Sequence, residues 1–78
     1  SPPAQKCSVS ANRYPVIVDG YLKNKPYEGN YFPGAILKVT TAQNTIPKTW
    51  QVNGEFVEAQ EISLKVGESE NCSIHVDF

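Results

Sequence analysis

The side chains able to do chemistry are few and widely spaced. His75 is the only histidine in the 78-residue chain. Nucleophilic catalysis needs a hydroxyl or thiolate beside a base, and the local sequence offers His75 no such partner. A solvated histidine on the outer face of the last strand is the expectation. Glu55, Glu58 and Glu61 are the carboxylates closest to the pattern of a glycoside-cleaving pair. Their place on the tip and descending arm of a hairpin makes a solvated face the simpler reading. Glu68, Glu70 and Asn71 offer hard oxygen ligands on one turn, without the spacing and glycine of a calcium loop. Asn71-Cys72-Ser73 fits the N-glycosylation pattern. No enzyme activity, metal or cofactor is expected.

The aromatic residues carry the binding expectation. Tyr21, Tyr27, Tyr31 and Phe32 fall within twelve residues that read as irregular chain, where binding function often resides. Planar rings can stack on the faces of sugars or anchor a protein partner, with the phenol oxygens adding hydrogen bonds. The competing reading is that the rings fold back to close the open end of a small core. Trp50 alternates with Val52 and faces Val57 across a predicted hairpin, which assigns it to the core rather than to a stacking platform.

The elements that must position these residues are strands. Alternation with period two recurs between turn signals, and helical periodicity is absent. Cys7, Val9 and Ala11 alternate with Ser8 and Ser10 in a first strand. Val16-Ile17-Val18 reads as a β-branched strand buried on both faces, closed by the turn dipeptide Asp19-Gly20. Tyr21 and Leu22 start a return strand. Residues Lys23 to Gly34 contain Pro26, Gly29, Asn30, Pro33 and Gly34, so a loop or broken edge strand is expected. Alternation resumes from Ala35 to Ala42.

Asn53-Gly54 predicts a type I′ turn that sets Val52 opposite Glu55, Gln51 opposite Phe56 and Trp50 opposite Val57. Ile62, Leu64 and Val66 form one apolar face. In the last strand Cys72, Ile74, Val76 and Phe78 point inward, and Ser73, His75 and Asp77 point outward.

A core this small buries only about 60 to 65 per cent of the unfolded chain's surface, so covalent support is expected. The chain has two cysteines. Two buried thiols or two metal ligands are the alternatives to a disulfide. Zinc sites gather four ligands in short-spaced pairs. The small size of the chain and the placement of the cysteines near its two ends favour a Cys7–Cys72 disulfide, with an oxidising, extracytoplasmic compartment as its consequence. The bond requires the first and last strands to be neighbours. The predicted fold is all-β: a small antiparallel sandwich or partly open barrel of about six short strands, with one disulfide linking the first strand to the last. Residues 1–6, with Pro2-Pro3, read as a linker or disordered N-terminus, and 7–78 as a single β domain.

Seven basic and eight acidic residues leave a net charge of −1. Without a basic stripe, nucleic-acid binding has no support. No apolar run reaches the roughly 20 residues of a bilayer span, and none has the form of a signal-peptide core. Export would therefore imply a leader already removed, or excision from a longer chain.

The order of motifs also carries a likeness. Val16-Ile17-Val18-Asp19-Gly20, Tyr27-Glu28-Gly29-Asn30-Tyr31-Phe32-Pro33-Gly34, Leu37-Lys38-Val39-Thr40 and Trp50-Gln51-Val52-Asn53-Gly54 follow one another as they do in the divergent bacterial repeat domains related to the internalin B repeats. The chain resembles that family over about residues 7 to 78. Two features depart from the family pattern: the cysteine pair, and Ile46-Pro47-Lys48 in place of a glycine-aromatic approach to Trp50. The resemblance implies an extracellular accessory module without shared catalytic residues.

The expected function is a non-catalytic, monomeric extracytoplasmic module for binding or attachment. Its partner is a polysaccharide, held by Tyr21, Tyr27, Tyr31 and Phe32, or alternatively another protein, with a structural-spacer role in the same class. A small proteinaceous inhibitor is a third option.

Overall fold

A computed structural model describes residues 3–78; the first two residues of the expected linker lie outside the described residues. Nine strands follow in order: β1 (Gln5–Ala11), β2 (Val16–Val18), β3 (Tyr21–Lys23), β4 (Tyr27–Tyr31), β5 (Ile36–Thr41), β6 (Thr49–Val52), β7 (Glu55–Val57), β8 (Ile62–Lys65) and β9 (Ser73–Asp77). They form two sheets, one of five strands in the order β4-β1-β9-β6-β7 and one of four in the order β3-β2-β5-β8. The architecture is therefore an all-β sandwich rather than a single rolled barrel. It has nine short strands, more than the alternation alone resolved. No helix of the described residues is long and apolar enough to cross a membrane.

Two hairpins are set by their turn residues. Asp19 and Gly20 have φ of 50° and 86°, and Asn53 and Gly54 have φ of 50° and 83°. Two consecutive positive values fit a type I′ turn, whose twist matches that of the flanking strands. The second hairpin has the predicted register, with Trp50 opposite Val57, Gln51 opposite Phe56 and Val52 opposite Glu55.

All pairings are antiparallel except that of the first strand with the last. Here β1 runs parallel to β9, with Ser8 level with Ser73 and Val9 with Ile74. Residues level with each other on neighbouring strands point to one face, so Cys7 and Cys72 meet with their Cα atoms 4.7 Å apart and form the disulfide. Closing a loop of 65 residues removes unfolded-state entropy equivalent to about 4 kcal/mol in the chain-entropy treatment.

Between the sheets lie Cys7, Val9, Val16, Val18, Leu37, Val39, Trp50, Ile62, Val66, Cys72, Ile74 and Val76, with no buried polar or charged residue among them. Three expectations change. Val16 and Val18 are buried but Ile17 is only half-buried, so β2 has one core face, because no third layer covers its other side. Gln5 and Lys6 belong to β1, opposite Tyr31 and Asn30, and the Gln5 side-chain amide donates to the carbonyls of Ser69 and Glu70 at 3.1 and 2.8 Å. The ordered domain thus begins before Cys7. Finally, of the two readings of Lys23 to Gly34 the edge strand holds, but it is not broken at its centre: β4 lies at the edge of its sheet and pairs along its whole length with β1.

Candidate functional site

Strand β4 places the aromatic cluster. Tyr27, Gly29 and Tyr31 alternate with Glu28 and Asn30, and Cys7 stands opposite Gly29, so the two tyrosines share the inward face. Both are half-buried and pack against the core. Gly29 is what allows this. A Cβ added there would lie 2.3 Å from the Tyr27 hydroxyl oxygen and 3.2 Å from the Tyr31 ring, so Tyr27 occupies the space that a side chain would fill.

The two phenol oxygens are hydrogen-bonded at 2.9 Å, and Tyr31 donates to Oδ2 of Asp19 at 2.5 Å. The Lys23 ammonium sits 5.0 Å from the centre of the Tyr27 ring, within cation–π range. Burial, then the hydrogen bond to Asp19, then that to Tyr27, push the Tyr31 phenol well above its ordinary titration range.

Asp19 acts as a hub. Its Oδ1 accepts the Lys38 backbone N–H at 3.0 Å, while its own N–H donates to the Lys38 carbonyl at 2.8 Å. Three segments meet at this carboxylate: the β2–β3 turn, the end of β4 and the middle of β5. Each segment carries an exposed apolar side chain close by in sequence, namely Tyr21 (71% exposed), Phe32 (67%) and Ile36 (53%).

Phe32 opens a β-turn closed by the Ala35 N–H on its carbonyl at 3.0 Å. Gly34 supplies the positive φ of 95° that the third position of a type II turn requires. Pro33 packs on Gly67 so closely that a Cβ there would lie 2.9 Å away. The exposed end is therefore mounted on a fixed framework.

The four aromatics thus divide. Tyr21 and Phe32 are presented to solvent, and Tyr27 and Tyr31 seal the sandwich with their hydroxyls engaged by each other and by Asp19. Ile36 is exposed as well and was missed, because the alternation shows only that it faces away from the core. Trp50 is fully buried, and its indole N–H donates to the Ala59 carbonyl at 2.8 Å.

His75 lies on the outer face of the five-stranded sheet, as expected, but it has partners. Ser10 Oγ is 2.7 Å from its Nδ1 and Asp77 Oδ1 is 3.1 Å from its Nε2. With Nε2–H donating to Asp77, Nδ1 is left to accept from the Ser10 hydroxyl. The chain of hydrogen bonds lies on the outer face of the five-stranded sheet, where it ties β1 to β9.

Of the carboxylates, Glu55, Glu58 and Glu61 are exposed, and Glu61 pairs with Lys38 at 3.6 Å. Among the described residues no group of three His, Cys, Asp or Glu side chains could hold a metal ion. No protein-family model matches the chain, and no curated protein or solved structure matches it either.

Proposed function

We propose that this chain is a non-catalytic binding or attachment module of a secreted or surface protein, and that it engages a protein partner through the apolar end formed by Tyr21, Phe32 and Ile36. The observation that carries the reading is that the three segments tied together at the Asp19 carboxylate each carry one of these exposed side chains. Single exposed apolar residues are ordinary, whereas grouped ones mark interaction sites. Their framework of short hydrogen bonds leaves little conformational entropy to lose on binding. The disulfide is compatible with an oxidising compartment.

A protein partner is favoured over a polysaccharide because Ile36 offers no planar face for a sugar ring, and because the Tyr27 and Tyr31 hydroxyls are already engaged within the fold. The exposed rings of Tyr21 and Phe32 support the carbohydrate reading as the second one.

A photo-crosslinker at position 36, used on the native secreted or surface fraction, would test the site. Crosslinking to one defined protein is expected. Tyr21→Ser with Phe32→Ser should abolish it, and Ile46→Ser, which alters another exposed apolar side chain (85% exposed), should leave it intact. Glycan-array binding lost in the double variant would move the assignment to carbohydrate. Neither response, or an equal response in all variants, would remove this end as a binding site.

A further inference from the structure

The opposite side of the sandwich holds a second feature that the apolar end does not use. Strands β7 and β8 are the last strands of their respective sheets, and the short link through Ala59 carries the chain from one to the other. Between them the sheets part to leave a cleft of about 640 Å³. Its apolar lining comes from Val52 and Val57 of one sheet and Ile62 and Leu64 of the other. Val52, Val57 and Leu64 are only half-buried although they point toward the core. Its charged lining consists of Glu55 and Glu61, with no lysine or arginine.

We infer that this cleft is a docking groove for an extended peptide strand of a partner protein, one whose apolar side chains alternate with basic ones. Three observations converge on that occupant. First, among the described residues β7 pairs only with β6 and β8 only with β5, so each presents an edge of backbone groups that an added strand can satisfy. Second, Ile62 and Leu64 are two residues apart on one strand, a separation of about 6.6 Å that matches the repeat of same-face side chains along an extended peptide. Such a peptide can seat successive apolar side chains between the sheets. Third, Glu55 and Glu61 form an acidic rim. Lys38 approaches Glu61 from the outer face at 3.6 Å, with both side chains more than half exposed, and an exposed pair of this kind is weak enough to be exchanged for an incoming cation. The basic side chains of the strand, pointing away from the apolar floor, would meet this rim.

The test uses the intact disulfide-bonded chain and two synthetic nine-residue peptides, one alternating valine with lysine and the other valine with glutamate. The lysine peptide should bind with sub-millimolar affinity and shift the backbone amide resonances of β7 and β8 while leaving those of Tyr21 and Phe32 in place. The glutamate peptide should bind at least about tenfold more weakly, equivalent to about 1.4 kcal/mol. Glu55→Gln with Glu61→Gln alters only exposed side chains, so the fold is retained, and it should erase most of the difference between the peptides. Leu64→Lys should abolish binding of the lysine peptide. Equal affinity for both peptides, shifts confined to another surface, absence of binding at about 1 mM, or dimerisation of the chain through β7 and β8 in place of peptide binding would each overturn the proposal.

Discussion

The two open sides of the sandwich solve the same problem in opposite ways. Where β3 and β4 end their sheets, the gap is filled: Tyr27 lies across Gly29, Tyr31 bonds to both Tyr27 and Asp19, and Lys23 covers the ring of Tyr27. Where β7 and β8 end theirs, Val52, Val57 and Leu64 stay half-buried around a cleft. The difference teaches where each side's stability resides. The closed side depends on its edge side chains, because they are what excludes water. The open side depends on a residue one strand further in, since Trp50 fills the space behind the cleft and its indole N–H holds the link at Ala59.

Trp50→Ala therefore has the largest expected effect. Deleting a fully buried ring leaves a cavity and costs about 3 to 5 kcal/mol, and here it also frees the Ala59 carbonyl. Chemical denaturation should report that loss, and hydrogen exchange should accelerate first in residues 57–64. Faster exchange in β3 and β4 instead would show that the two sides are not separately supported.

Much of this arrangement is legible in the sequence because it is locally encoded. Asn53-Gly54 fixes its own backbone angles and, through them, every cross-strand partner in the hairpin. The cysteines bring β1 and β9 together without fixing their relative direction. Only because the two strands run parallel does Cys7 level with Cys72 put Ser10 level with His75 three residues further on, so the serine partner of the histidine is not found by counting from the cysteines alone. The continuity of strand β4 was hidden by its breakers. Pro26 and Pro33 lie outside it and Gly29 is tolerated inside it only because Tyr27 covers the vacancy. That is a side chain lying over a glycine two residues further on, which propensity does not weigh. The alternation Tyr27, Gly29, Tyr31 against Glu28 and Asn30 was present, but its partners on β1 are non-local, the central pair being Cys7 opposite Gly29. The linkage of the segments that carry Tyr21, Phe32 and Ile36 has no local signal at all, because it rests on the reach of Asp19 to two other segments.

The closed side should fail when its edge side chains are removed. Tyr27→Ala with Tyr31→Ala is expected to cost about 3 kcal/mol, from half-buried rings and from an Asp19 carboxylate that loses its hydroxyl donor. Val57→Ser on the open side removes a half-buried side chain with no such network and should cost only about 1 kcal/mol. Midpoints of urea denaturation measure both. If the two costs are equal, the tyrosines do not seal the edge and the contrast between the sides disappears.

An effect no larger than that of Val57→Ser is the most selective, because it reads one hydroxyl by its titration. The folded state holds the Tyr31 proton more tightly than the unfolded state does, through burial and the bonds to Asp19 and Tyr27. An unfolded tyrosine ionises near pH 10. Below that value both states are protonated and the contribution of Tyr31 is complete. Above it the unfolded chain releases the proton while the folded chain retains it, so stability falls as pH rises. Tyr31→Phe keeps the ring and loses the hydroxyl, at a cost of about 1 kcal/mol at pH 7. Phenylalanine does not titrate, so the variant escapes this particular loss in alkali, while the lysines affect both proteins alike. Melting temperatures measured from pH 7 to pH 11 should therefore show the gap between the parent and the variant closing above about pH 10. A constant gap over that range would mean that Tyr31 releases its proton as readily in the folded chain as in the unfolded one, and the bond to Asp19 would then contribute little to closing this side of the sandwich.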